Sequence, residues 1–141
     1  MKLGTGPMVN LDEVYRYLAG QPGTQRIVVA SARTEGSPDH ARLFVLVERA
    51  DCSQISCQSG PSPEVDEILR AGCGTPDKKY ARYVSLVHLP VGLLPETKGD
   101  PKPRMFVNFD SFRLPPGHDE LAELIAGATG EKVLPPDVPH P

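Results

Sequence analysis

Residues 41–49 read ARLFVLVER, and the apolar run LFVLV at residues 43–47 decides the fold. Successive side chains of a β-strand point to opposite faces of its sheet. A strand that is apolar at every position therefore needs cover on both faces, as interior strands have. We expect residues 41–49 to form a central strand, with helices packed on at least one side of the sheet.

Three further segments flank this run and have the composition of strands. Residues 26–32 contain IVVA, and the intervening RTEGSPDH has the turn residues of a hairpin with a longer loop. Downstream, residues 80–89 and residues 104–109 alternate apolar and polar side chains at several positions. The sequence thus predicts about four strands, arranged as two hairpin-like pairs.

Three amphipathic helices are predicted from apolar spacing and from their end signals. Asn10 and Ser62 are residue types that cap helix N-termini, and Pro63 suits a first helical position. The predicted helices cover residues 11–19, the segment from Pro63 to a stop at Gly72, and residues 118–126 with a stop at Gly127 or Gly130.

The element order α-β-β-α-β-β-α predicts an α+β fold: a mostly antiparallel sheet of about four strands with three helices packed on it. A chain of 141 residues is long enough for one core without disulfide or metal support. We expect a flexible N-terminal segment at 1–9, a single α+β domain at 10–132 and an extended proline-rich tail at 133–141.

The tail reads VLPPDVPHP, and proline at four of its nine positions prevents it from continuing a helix or lying inside a sheet. Extended proline-rich segments bind grooves at low entropic cost. The apolar tail residues Val133, Leu134 and Val138 are therefore candidates for binding a partner.

A second candidate contact lies in the irregular segment PVGLLPETKGDPKP, residues 90–103. Long loops of this kind are often functional. Its residues Leu93 and Leu94 either pack beneath the loop or stand exposed as an anchor for a partner, and the sequence leaves both alternatives open.

The net charge and the apolar content of the chain indicate where it works and what it does not bind. The net charge of −3 argues against binding nucleic acid through charge alone. The chain contains no apolar run of about 20 residues, and its first residues lack the apolar core of a signal peptide. We expect a cytoplasmic protein without a membrane contact.

Catalytic and metal-binding motifs are weak. Cys52, Cys57 and Cys73 are most simply free thiols, although a Cys52–Cys57 disulfide remains an alternative, and their spacing is at the margin of known zinc sites. Ser85 and His88 are three apart on a predicted strand and should face opposite ways. The sequence therefore assigns no catalytic residue, no metal and no cofactor.

A basic cluster supports an alternative function. Lys78, Lys79 and Arg82 are interleaved with Tyr80 and Tyr83, a combination that can contact phosphates and bases. Lysines that guard a strand edge against pairing are the commoner explanation of such a cluster.

In its size, its order of elements, its proline-rich loops and its loose tail, the chain resembles small regulators encoded by bacteriophages of thermophilic bacteria. It is similar in build to those that bind host RNA polymerase near the β-subunit flap and the sigma factor. The resemblance extends over the chain in general and rests on no diagnostic motif, so it transfers no functional residue.

This resemblance implies a non-enzymatic protein in the cytoplasm of a host cell, with bacterial RNA polymerase as its partner. Such a regulator inhibits or redirects transcription by repositioning a polymerase element, and it contacts nucleic acid at most secondarily. The alternatives from other classes are a nucleic-acid-binding accessory protein and a small metal-dependent enzyme.

Overall fold

The computed structural model describes residues 8–74, 78–95, 104–110, 114 and 117–134, with side chains for all of these except Lys78 and Lys79. These residues form helices and strands in the order α1, β1, β2, β3, α2, α3, β4, β5 and α4. Their bounds are Leu11–Ala19 for α1, Thr24–Thr34 for β1, Ser37–Arg49 for β2, Ser56–Ser59 for β3, Pro63–Cys73 for α2, Lys78–Ala81 for α3, Val84–Leu89 for β4, Arg104–Asn108 for β5 and His118–Thr129 for α4.

The sheet has five strands in the order β3-β4-β2-β1-β5. The β1–β2 hairpin at its centre is antiparallel, and so is the β3–β4 pair. The β2–β4 and β1–β5 pairs are parallel, which makes the sheet mixed. The α+β class is confirmed, whereas the prediction of a mostly antiparallel sheet of about four strands is only partly met.

Two features of the chain explain why the observed sheet differs from the predicted one. The segment β3 reads SCQS and lacks the apolar alternation that signals a strand. In addition, β4 and β5 do not pair with each other, because they lie on opposite sides of the central β1–β2 hairpin.

Helices cover β2 on both faces, as its apolar run requires. Leu43, Val45 and Val47 belong to the core beneath α1 and α2, whereas Phe44 and Leu46 belong to the core beneath α4. All five side chains are at most 1% exposed. The prediction of a central strand is thus confirmed, and the domain has three layers with the sheet in the middle.

The N-termini of α1 and α2 are capped by the predicted side chains. The Asn10 side chain accepts hydrogen bonds from the backbone N–H groups of Asp12 and Glu13, and the Ser62 hydroxyl accepts one from Val65. Helix α4 runs three residues past its predicted end.

The predicted stop of α2 at Gly72 is wrong. The helix continues to Cys73, and Gly74 terminates it with φ of 84°, a left-handed conformation that glycine adopts readily.

Gly72 instead permits close contact between α1 and α2. Its carbonyl accepts a 2.8 Å hydrogen bond from the N–H of Asn10. A Cβ atom at this position would lie 2.8 Å from Cγ1 of Val9 and 2.9 Å from Cγ2 of Val14. The absence of a side chain therefore sets how closely the two helices pack on the sheet.

We predict that Gly72→Ala destabilises the fold by about 1–3 kcal/mol, because the added methyl group overpacks a closed core. Gly127→Ala is the matched control, since a Cβ on this glycine of α4 would meet no described atom within 4 Å. The control should be neutral or stabilising by up to about 1 kcal/mol, through helix propensity. Urea unfolding checks both, and equal stability of the two variants would contradict the close contact.

Candidate protein-binding groove

The loop after β4 buries one of its two leucines and exposes the other, two alternatives that the sequence left open. Leu94 is 2% exposed and packs in the core beneath α4. Leu93 is 45% exposed, and Val91 two residues earlier is 59% exposed. Leu94 therefore fastens the loop to the domain, and Leu93 is the leucine that remains accessible to a partner.

Hydrogen bonds hold this loop on either side of Leu93. The carboxylate of Glu48, a residue only 4% exposed, accepts a 3.1 Å hydrogen bond from the N–H of Gly92. Nη2 of Arg26 donates to the carbonyl of Pro95 at 3.4 Å. The exposed leucine is thus presented from a fixed backbone, which lowers the entropy that a partner would lose on binding.

The loop and α4 form the two walls of an open groove of about 710 Å³, which we term the loop–α4 groove. One wall is apolar and the other carries exposed carboxylates. The side chains that line the two walls are Leu93, Leu94 and Pro95 on the loop, and Glu120, Glu123 and Leu124 on α4.

This arrangement suits a protein segment better than a small molecule. The groove is too open to enclose most of a small ligand, as small-molecule pockets do. An apolar strip beside charged side chains is instead the usual layout of a protein interface, with an apolar centre and a polar rim. Glu120 and Glu123 would favour a segment in which lysine or arginine flanks an apolar side chain.

The first residues of the predicted tail contact the domain itself. Leu134 donates its N–H to the carbonyl of Arg33 at 2.9 Å, and Val133 forms an antiparallel bridge with Thr34. Both apolar side chains are half-buried, and Val133 packs against the core beneath α4. These contacts occupy the end of β1 beyond its pairing with β5, while the third candidate, Val138, lies outside the described residues.

The basic candidates are only partly brought together. Arg82 is exposed, and its Nη2 donates a 2.8 Å hydrogen bond to the hydroxyl of Tyr83. The ring of His40, from distant β2, packs edge-on against Tyr83 with centroids 5.9 Å apart. Lys78 and Lys79 lie in α3, just before this cluster. No sequence signal indicated His40, because its contact with Tyr83 depends on sheet pairing.

The serine and histidine of β4 face opposite sides of the sheet, as predicted. The Ser85 hydroxyl lies 3.0 Å from that of Ser59, and His88 lines a cleft on the side of α1 and α2. Burial lowers the pKa of His88, and the nearby Arg49 lowers it further. The two side chains therefore do not form a nucleophile–base pair.

The side chains of Cys52, Cys57 and Cys73 are half-buried, and no disulfide joins them to one another. Within the described ranges, no group of three or more histidine, cysteine, aspartate or glutamate side chains is placed to hold a metal ion.

Comparisons of the chain with protein-family models, with curated proteins and with solved structures each found no match. None of the helices in the described part of the chain has the length and apolar character needed to cross a membrane.

We predict that Leu94→Ala lowers the free energy of unfolding by about 2–5 kcal/mol, because it opens a cavity in the core. Leu93→Ala should change it by no more than about 0.5 kcal/mol, as expected for an exposed side chain. Chemical unfolding followed by circular dichroism compares these neighbouring truncations. An equal loss in the two variants would show that Leu93 is a packing residue and would remove it from the candidate interface.

Proposed function

We propose that this chain is a non-enzymatic regulator that binds a protein partner through the loop–α4 groove. The observation that carries the proposal is Leu93, a large apolar side chain that is 45% exposed on a loop held by hydrogen bonds and by buried Leu94. Its exposure adds little to the stability of the fold, whereas burying it against a partner would contribute through the hydrophobic effect.

The partner's contact segment would combine an apolar side chain with neighbouring lysine or arginine. The apolar group would pack on Leu93 and Leu124, and the basic groups would meet Glu120 and Glu123. These exposed carboxylates would mainly accelerate association and set the orientation, while the apolar contact would limit dissociation.

The resemblance in build to phage regulators makes bacterial RNA polymerase the first partner to test, at the β flap and the sigma factor. Binding there would inhibit or redirect transcription of the host by repositioning the polymerase element, and nucleic acid would be contacted secondarily. The polymerase and the groove are separate parts of the proposal: binding by the wild-type protein tests the partner, and the effect of Leu93→Asp on that binding tests the groove.

The test is biolayer interferometry with immobilised full-length protein and purified bacterial RNA polymerase, as core enzyme and with sigma. We expect Leu93→Asp to weaken binding by at least about tenfold, because it places a charge at the centre of the apolar contact. Ile55→Asp is the matched control, since Ile55 is 43% exposed between β2 and β3 and is not a lining residue of the groove.

The outcomes separate the two parts of the proposal. Failure of the wild-type protein to bind either form of the polymerase would exclude this partner. Equal binding by Leu93→Asp and the wild-type protein would exclude the groove as the contact.

A second function is favoured by one observation: the exposed Arg82 follows the lysines of α3 and packs on Tyr83, whose ring also contacts His40. In that case single-stranded nucleic acid would bind this basic cluster through its phosphates, with an affinity that falls as salt rises. Tyr83 is 7% exposed, so it offers little surface for stacking a base.

For this second function we predict that Arg82→Gln weakens oligonucleotide binding. It should also reduce the slope of log affinity against log salt concentration by about 1, as the loss of one phosphate contact does. Arg82→Lys should retain the slope, since a phosphate contact needs only the positive charge. Arg70→Gln, at an exposed arginine of α2, controls for net charge. Fluorescence anisotropy over a salt series measures the slope, and an unchanged slope in Arg82→Gln would exclude this site.

A further inference from the structure

A second concave site lies on the opposite face of the sheet, between the end of α1 and the start of α2. We term it the Thr24–His88 cleft. Its volume of about 40 Å³ has room for a few waters or for the end of a small organic molecule. The floor is apolar and each of its side chains is at most 4% exposed: Leu18, Val47, Ile68 and Leu86.

Two polar side chains in this cleft lack hydrogen bonds from the part of the chain that is described. Oγ1 of Thr24 is buried without a partner there. The ring of His88 is half-buried and makes no hydrogen bond to a described residue. A buried polar group left unpaired carries a desolvation penalty, so the Thr24 hydroxyl favours a bound species that offers it a partner, and the His88 ring is free to join the same contact.

Arg49 is held in place at the edge of the same cleft. Its Nε and Nη2 donate to the carboxylate of Asp51 at 3.0 and 3.2 Å, and Nη2 also donates to the carbonyl of Pro22 at 2.8 Å. None of these bonds uses Nη1, which leaves that group of a fixed guanidinium available to a ligand.

The polar groups lining the cleft are mainly potential donors. The Thr24 hydroxyl and Nη1 of Arg49 can each donate a proton, and neutral His88 carries one ring N–H. Tyr17 also lines the cleft, and its hydroxyl can donate, since the ordinary pKa of tyrosine lies well above neutral and burial raises the pKa of Tyr17 further. The acceptors near them are the Gln21 amide oxygen, the carboxylate of Asp51, which is already paired with Arg49, and the carboxylate of Glu64, an exposed residue whose charge solvent screens.

We propose that the Thr24–His88 cleft binds a small monocarboxylate. The carboxylate would accept hydrogen bonds from the Thr24 hydroxyl, from Nη1 of Arg49 and from the His88 ring, and a short alkyl chain would lie on the apolar floor. Charge-assisted hydrogen bonds from a fixed guanidinium suit a carboxylate in particular. This site lies on the other face of the sheet from the loop–α4 groove, so it does not depend on the function proposed for that groove.

The test is a titration of the full chain with butyrate at neutral pH, followed by amide and imidazole NMR signals. Butylamine and 1-butanol have the same alkyl chain and serve as cationic and neutral comparisons. We expect butyrate to shift signals of the cleft residues and to bind more tightly than either comparison. Equal binding of 1-butanol, tighter binding of butylamine, or no binding of butyrate would each overturn the proposal.

Thr24→Val tests the contact, because valine keeps the shape of threonine and removes the hydroxyl. Since Thr24 Oγ1 has no partner in the described fold, the variant should fold normally and bind butyrate about tenfold more weakly. Thr34→Val is the matched control: Oγ1 of Thr34 is also buried and unpartnered, at the other end of β1. Unaltered binding by Thr24→Val would overturn the proposal.

A measurement on the wild-type protein provides an independent check. A carboxylate bound beside His88 favours the charged imidazolium and should raise the pKa of this ring in an NMR pH titration. A His88 titration that is the same with and without saturating butyrate would contradict a contact at this ring.

Discussion

Burial of β2 on both faces is the constraint on which the rest of the structure depends. Five consecutive apolar side chains from Leu43 to Val47 leave the strand with no face for solvent, so helices must pack on each side of the sheet. The helices α1 and α2 cover one face and α4 covers the other. The mixed order of the sheet agrees with this requirement, because it places a strand on either side of the hairpin and keeps β2 away from both edges.

Both candidate sites result from the packing of helices on the two faces of the sheet. Where the chain leaves β4, it follows the α4 face, and Leu94 fills the core there while Leu93 stays outside. The groove forms because the loop and α4 share one face without closing over it. On the opposite face, α1 and α2 pack closely at Gly72, yet the sheet beneath the end of α1 and the start of α2 retains a cleft with an apolar floor.

The sequence predicts the features that arise from local periodicity and end signals. Asn10 and Ser62 cap the helices as expected, and LFVLV lies in the centre of the sheet. What the sequence does not predict depends on contacts between distant segments. The strand β3 exists through its pairing with β4, and the parallel pairs depend on where the chain crosses the sheet. Likewise, Leu93 and Leu94 are identical in type and adjacent in the chain, so only tertiary packing distinguishes the buried one from the exposed one.

The alternation of side chains along β2 also keeps the two sites chemically separate. Glu48 holds the groove loop through Gly92, whereas the next residue, Arg49, lines the cleft on the other face. One end of the sheet thus carries an acidic, apolar surface on one side and a cleft rich in hydrogen-bond donors on the other. A basic protein segment in the groove would be attracted by the carboxylates of Glu120 and Glu123, whereas a small carboxylate in the cleft would be held by hydrogen-bond donors, so the two would not compete for the same side chains. Because β2 is closely packed between the two sites, a substitution at the rim of one site should leave the strand, and with it the other site, in place.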